Sequence, residues 1–357
     1  MTKAVDILFT PYKLGETELP NRIVMAPMTR RFADDNSVST KKMAAYYARR
    51  ADAGLIITEG AIIRPDGRGH PNTPGIYTGA QIEGWRKIAD AVHDKGGRIF
   101  MQLWHVGRMS HTDFTGGVAT IAPSAVAAKG RVPSRSWKRR DRRSKTPYPT
   151  PRPLETNEIP SLVEAYTIAA ANAIKAGLDG VEVHGANGYL IDQFLHYETN
   201  RREDEYGGTP ENLARFALEV VDGVIGETGS ERVGIRLSPA AYASIGHHAD
   251  DTAVFVYLLG ELEKRELAYV HIGINDDSKE YDYLEGTASA FIRRHYKGTV
   301  IGCGSYTPES AARAISDGVI DLAAFGRPFI ANPDLVEKIK NGAALISYDE
   351  GMLEVLT

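Results

Sequence analysis

Residues 180–185 read GVEVHG, a short β-rich run bounded by glycines, and the same pattern returns as LIITEG at 55–60, VGIRLS at 233–238 and YVHIG at 269–273. Such runs lack the strict alternation of a half-exposed sheet and suit strands covered on both faces, as parallel strands are. The pattern occurs eight times, at 22–28, 54–60, 98–105, 180–186, 232–239, 268–273, 298–304 and 321–327. Between these runs lie stretches of helical period at 39–53, 79–95, 161–176, 210–227, 251–265 and 308–317. Thr209 before Pro210 and Thr307 before Pro308 are expected N-caps, with proline in the first turn. Repeated right-handed βα units either open into a doubly wound sheet or close on themselves, and a count of eight favours closure. The predicted fold is α/β, a single (β/α)8 barrel domain spanning residues 1–357.

Two segments stand outside the repeat. Residues 7–20, ILFTPYKLGETELP, predict a hairpin that plugs the N-terminal end of the barrel. Residues 106–155 are too long for a simple connection after the third strand and predict a capping or lid excursion beside the mouth. At 357 residues, 43% hydrophobic and 25% charged, the chain has a globular composition. Its apolar runs, such as 54–58, fall far short of the ~18 residues a membrane helix needs, and the first ten residues do not read as a signal peptide. Cys303 is the only cysteine, so internal disulfides and paired-cysteine zinc sites are excluded and a cytoplasmic location is expected.

The chemistry concentrates in VEVHGANGYLIDQF, residues 181–194. His184 closes a strand, and Asn187 and Tyr189 follow in a glycine-containing turn, so an imidazole, an amide and a phenol converge where barrels carry their active sites. His184 and Asn187 can both donate to an oxygen that gains negative charge, while a phenol with a pKa near ~10 can deliver a proton to an adjacent carbon. His247 and His248 lack a second ligand cluster, and no metal is expected.

The chain resembles the Old Yellow Enzyme family of FMN-dependent ene-reductases. The resemblance runs nearly end to end through NRIVMAPMTR (21–30), IITEG (56–60), QLWHVGRMSH (102–111), HGANGYLIDQFL (184–195), NRREDEYGG (200–208), GIRLSP (234–239) and FGRPFI (325–330). It implies an FMN at the C-terminal face, with Pro27, Met28, Thr29 and Gly60 beside the ring and Gln102 and Arg236 at its pyrimidine edge. A guanidinium there stabilises the charge that develops on reduction. Gly304, Ser305, Gly326 and Arg327, after strands seven and eight, would hold the phosphate. His184 and Asn187 would bind the carbonyl or nitro oxygen of an activated alkene, Tyr189 would protonate it and Trp104 would shape the pocket. NADPH or NADH would be the reductant in a ping-pong cycle. The stretch 200–206, with Asn200, Arg202, Asp204 and Tyr206, reads as scaffold, and Cys303 as a small buried hydrophobe.

One stretch departs from most members of the family. Residues 131–152 carry nine Lys/Arg against the single acid Asp141. With Trp137 and Tyr148 it would suit an FMN-barrel reductase acting on nucleic acid. Those reductases use a cysteine donor on an active-site loop, whereas Cys303 lies at the end of strand seven. The preferred reading is a solvated lid that attracts the phosphates of the nicotinamide donor, with no nucleic-acid or membrane partner. A non-catalytic flavin scaffold is the other alternative, and monomer and homodimer both remain open. Tyr348, in a tail that departs from the family's, carries no site assignment.

Overall fold

The computed structural model describes residues 5–133 and 143–357. Eight parallel strands form its centre: β1 (Ile23–Met25), β2 (Leu55–Ile57), β3 (Ile99–Trp104), β4 (Gly180–Gly185), β5 (Val233–Leu237), β6 (Tyr269–Ile272), β7 (Val300–Cys303) and β8 (Leu322–Phe325). Each pairs in parallel with the next, and β8 pairs with β1, so the sheet closes. All eight lie inside the runs read from the sequence, and closure leaves no open edge.

Helices α1 (Lys41–Ala48), α2 (Gly79–His93), α3 (Ile159–Lys175), α4 (Pro210–Thr228), α5 (Asp251–Glu263), α6 (Ala288–His295), α7 (Pro308–Ser316) and α8 (Leu335–Asn341) surround the strands. Thr209 and Thr307 cap α4 and α7 by accepting the N–H groups of Asn212 and Ser310. Thr78 and Gln81 cap each other's backbone at the start of α2.

Side chains alternate along every barrel strand even though both faces are buried. Ile23, Ile56, Met101, Val183, Ile235, Ile272 and Ala323 pack outward with the helices. Val24, Leu55, Ile57, Phe100, Tyr269, Ile301 and Leu322 fill the interior together with Leu14 and Leu19. The last two belong to the N-terminal hairpin, in which Tyr12–Leu14 pairs antiparallel with Thr17–Leu19. The hairpin therefore closes the bottom of the cylinder with apolar side chains, and the polar interior side chains are confined to the upper, C-terminal end.

The long connection after β3 carries two small pairings. Ile121–Ala122 runs parallel to Arg152–Pro153, and Arg131–Pro133 antiparallel to Arg143–Pro147. Phe114, Ala128, Val132 and Tyr148 give it a satellite core against which Met109 packs. Trp137, Arg139, Arg140, Asp141 and Arg142 of the basic stretch lie outside the described residues. Among the described residues, no helix is long and apolar enough to cross a membrane.

Candidate active site

A cleft with two chambers opens at the C-terminal ends of the strands. The larger, about 400 Å³, lies between the ends of β7, β8 and β1 and is walled by Met28, Gly304, Ser305, Gly326, Arg327 and Tyr348. The smaller, about 330 Å³, is walled by Thr29, Gln102, Trp104, Met109, His184 and Tyr189. Pro27, Asn187, Arg236 and Tyr242 face both chambers, so the two form one elongated cavity.

The register of the sheet sets the polar residues beside one another. His184 of β4 stands opposite Arg236 of β5, which stands opposite His271 of β6. His184 is 4% exposed and its Nδ1 has no hydrogen-bond partner. Burial, and then the positive charges of Arg236 and His271, hold its pKa well below the ordinary value, so the imidazole is neutral. Tyr189 meets the His184 and Trp104 rings edge to face, each at 5.0 Å between centroids, which fixes the phenol's direction. Asn187 takes a left-handed backbone at φ 60° and donates its N–H to Ser238 Oγ at 3.0 Å. Asparagine tolerates that conformation better than most residues. Gly188 follows at φ 75°, and a Cβ there would lie 2.2 Å from the carbonyl oxygen of Ala243.

Beneath the cleft runs a buried polar row. Gln102 Nε2 donates to Glu182 Oε1 at 2.8 Å, and Glu182 Oε2 meets His271 Nδ1 at 2.7 Å. Burial alone would raise Glu182, but His271, Arg236 and Gln102 outweigh it and keep the carboxylate ionised. Arg236 makes no direct carboxylate pair among the described residues. It donates to Ile272 O and Cys303 Sγ, both at 3.4 Å, and faces the cavity. Cys303, expected from the sequence as a small buried hydrophobe, packs against the barrel's interior core and also accepts from Arg236. Burial pushes its thiol pKa up, yet Arg236 and His271 bring it below the ordinary value.

Gly60 lines neither chamber. A Cβ there would lie 2.6 Å from the Trp104 ring, so the glycine makes room for that indole. Glu59 accepts the N–H groups of Arg30 and Arg31 at 3.0 and 3.1 Å, anchoring the chain just beyond Thr29. Asn200 holds the carbonyls of Phe194 and Tyr206, and Arg202 reaches Pro123 O at 3.2 Å and pairs with Asp204, a structural use of that stretch. Tyr348 stands in the wall of the larger chamber, 5.9 Å from Arg327 in a cation–π geometry. His247 stacks on Tyr283 at 3.6 Å.

Glu182, His271 and Tyr242 go unnamed in the sequence reading, and Tyr348, left there without an assignment, stands in the wall of the larger chamber. Glu182 and His271 carry a legible signal: they share strand parity with Gln102, His184 and Arg236. Tyr242 lies in a loop with positive φ at Ala241, Ala243 and Ser244, which no local pattern announces.

A family model described as NADH:flavin oxidoreductase / NADH oxidase family matches residues 7–345. The chain is 42% identical over 349 residues to 12-oxophytodienoate reductase 1 of Oryza sativa subsp. japonica, covering 96% of this chain and 88% of the relative. A solved structure of morphinone reductase in complex with tetrahydroNAD is 46% identical at a TM-score of 0.88, covering 97% of this chain and 93% of that one. An old yellow enzyme homologue from Zymomonas mobilis is 40% identical at a TM-score of 0.91, covering 98% and 97%.

Proposed function

The chain belongs to the NADH:flavin oxidoreductase / NADH oxidase family, the Old Yellow Enzyme family, and from that premise we propose that it reduces the C=C bond of small alkenes activated by a carbonyl or nitro group. It is an FMN-dependent, NAD(P)H-type alkene reductase. The fit to a flavin mononucleotide rests on three features of the cleft. The paired chambers give it length, Arg236 offers a guanidinium without a carboxylate partner among the described residues, and Gly304 and Ser305, at φ 130° and 59°, leave a bare backbone beside Arg327 for a phosphate. Pro27, Met28, Thr29, Gln102 and Arg236 would hold the ring system, with Gly60 acting only by seating the Trp104 indole, and Gly304, Ser305, Gly326 and Arg327 would hold the phosphate. FMN, when bound, supplies two-electron chemistry, accepting hydride from the nicotinamide and returning it to the alkene.

The observation that carries the reading is the neutral imidazole of His184, which lines the smaller chamber together with Asn187 and Tyr189. The two donors would grip the substrate oxygen and stabilise the charge that moves onto it, and burial strengthens that grip. Tyr189, aimed by the His184 and Trp104 rings, would give its phenolic proton to the α-carbon. In this reading nicotinamide and alkene use the smaller chamber in turn, a ping-pong order.

The test is spectroscopic. The purified protein should carry a yellow flavin band that NADH or NADPH bleaches without oxygen and 2-cyclohexenone restores. Tyr189→Phe should bleach at the wild-type rate but recover about 10²–10⁴-fold more slowly, the usual worth of a positioned general acid. A protein that takes up no FMN, or one whose recovery is indifferent to Tyr189, overturns the assignment.

A further inference from the structure

Behind the cleft, Asp192, His196 and Asp251 form a row of fully buried side chains. Asp192 lies on the short helix Leu190–Leu195, His196 follows at its C-terminal end, and Asp251 opens α5. His196 Nδ1 lies 2.9 Å from Asp251 Oδ2 and Nε2 lies 3.2 Å from Asp192 Oδ1. A neutral imidazole has one donor and one acceptor, so only the imidazolium can donate to both carboxylates.

The outer oxygens of the row reach the active-site loops. Asp192 Oδ2 accepts the N–H of Gly188, at 2.7 Å, between Asn187 and Tyr189. Gln193 Nε2 holds the carbonyl of the same glycine at 2.7 Å. Asp251 accepts the N–H groups of Tyr197 and His248, both at 3.0 Å, and so ends the loop that carries Tyr242. The two loops also touch directly where Gly188 passes Ala243.

We infer that His196, bridging Asp192 and Asp251 as an imidazolium, is a positioning residue that locks the turn bearing Asn187 and Tyr189 to the loop bearing Tyr242. The inference rests on the assignment of Asn187 and Tyr189 above. Burial opposes the charge, but Asp192 and Asp251 overcome it and raise the His196 pKa from the ordinary 6.5 to about 9. The charged groups around the row are Asp192 on the short helix, Asp251 on α5 with Asp250 before it, Glu198, which accepts the N–H of Gly246, and Arg108 from the excursion, which faces Glu198 and then Asp192. The Phe255 ring closes the apolar side at 5.2 Å. Because the folded pKa is raised, the stabilisation is fully present below pH 6.5 and is lost as pH rises through 9. Above that pH one carboxylate faces a bare nitrogen lone pair and the tie to Gly188 loosens.

The experiment follows affinity and local order across this pH range in the FMN-loaded enzyme. A phenol acidic enough to stay ionised from pH 7 to 10 should bind as an oxygen-anion mimic, seen by a long-wavelength band. Its dissociation constant should rise about tenfold through pH 9 in the wild type, the cost of one charge-assisted hydrogen bond. His196→Gln should retain FMN, bind the phenolate about tenfold more weakly already at pH 7 and show no break near pH 9. Asp192→Asn, which keeps an acceptor for Gly188 but removes a charge, should move the break to lower pH and covers the case in which His196→Gln fails to fold. Titration of Tyr189 would appear in every variant, so the difference between profiles isolates His196. Independently of any ligand, hydrogen-exchange protection of residues 186–190 should drop across the same break. Unbroken protection, or a His196→Gln profile that overlays the wild type, overturns the inference. Loss of the phenolate band in His184→Ala tests the oxygen clamp separately, and a wild type without that band but with the protection break refutes the clamp and supports the lock.

Discussion

Glu59 shows how one buried carboxyl anchors the entrance to the cleft. It is 1% exposed, receives two backbone N–H groups and has its own N–H bonded to the Tyr47 hydroxyl oxygen at 2.9 Å. Burial raises its pKa from 4.5 to about 7, against the pull of those N–H groups and of Arg30. An acid with a raised folded pKa binds its proton better when folded. Its contribution is fully present below pH 4.5 and is lost as pH rises through 7. Glu59→Gln keeps an acceptor for Arg30 and Arg31 without the buried charge. The variant should gain on the order of 2 kcal/mol relative to wild type between pH 5 and pH 8, since each pKa unit is worth about 1.4 kcal/mol. Paired thermal melts at those two pH values check it, and a constant difference would show that Glu59 is already solvated. His184, Asn187 and Tyr189 could be named from the sequence because each ends a strand or sits in the turn after one, whereas Gln102 and Arg236, inside their strands, were named through the family resemblance. The strand parity of Glu182 and His271 is legible, but their pairing and the bridging of His196 are not, because the partners come from other strands and helices. A carboxylate and an imidazole about ninety residues apart leave no joint trace in the chain.

The barrel strands were legible because each is a short apolar run ended by a polar or glycine-rich turn, and the caps of α4 and α7 because threonine before proline is a local signal. The helices Leu190–Leu195 and Arg327–Ala331 were not, since a helix under two turns, about seven residues, cannot repeat an apolar face. The hairpin was readable in outline, and its energetic role follows from its packing. Leu14 and Leu19 are at most 1% exposed and lie against Leu55, Phe100, Tyr269 and Ile301, so they fill the cylinder from below. Leu14→Ala removes buried methyl groups and leaves a cavity that the closed sheet cannot collapse around. It should cost about 2–5 kcal/mol. The active-site residues stand at the opposite end, so the Michaelis constants for enone and nicotinamide should hold while the melting temperature falls. A parallel loss of substrate affinity would mean that the plug shapes the mouth through the strands.

Charge is spread unevenly over the whole molecule. The chain carries a formal charge of −4, yet nine cations fall within residues 131–152. The stretch contains the paired segments Arg131–Pro133 and Arg143–Pro147, and Val132 and Tyr148 root it in the satellite core that contacts Met109. Met109 also walls the smaller chamber, so the base of this cationic segment lies at the mouth. A nicotinamide donor approaches with its phosphates negative, and a net-negative protein would repel it without a local patch of opposite sign. Steering of this kind acts over a Debye length, about 30 Å at 0.01 M salt and about 3 Å at 1 M. Changing Arg139, Arg140, Arg142 and Arg143 to glutamine should therefore raise the Michaelis constant for NADPH at low salt by at least about threefold. The difference should vanish at high salt, and kcat should stay unchanged. NADPH carries one more phosphate than NADH, so the substitution should weigh more on NADPH. Stopped-flow reduction of the flavin at two ionic strengths separates the encounter from the chemistry. Equal rate constants for wild type and variant at low salt would leave the basic stretch without a part in donor capture.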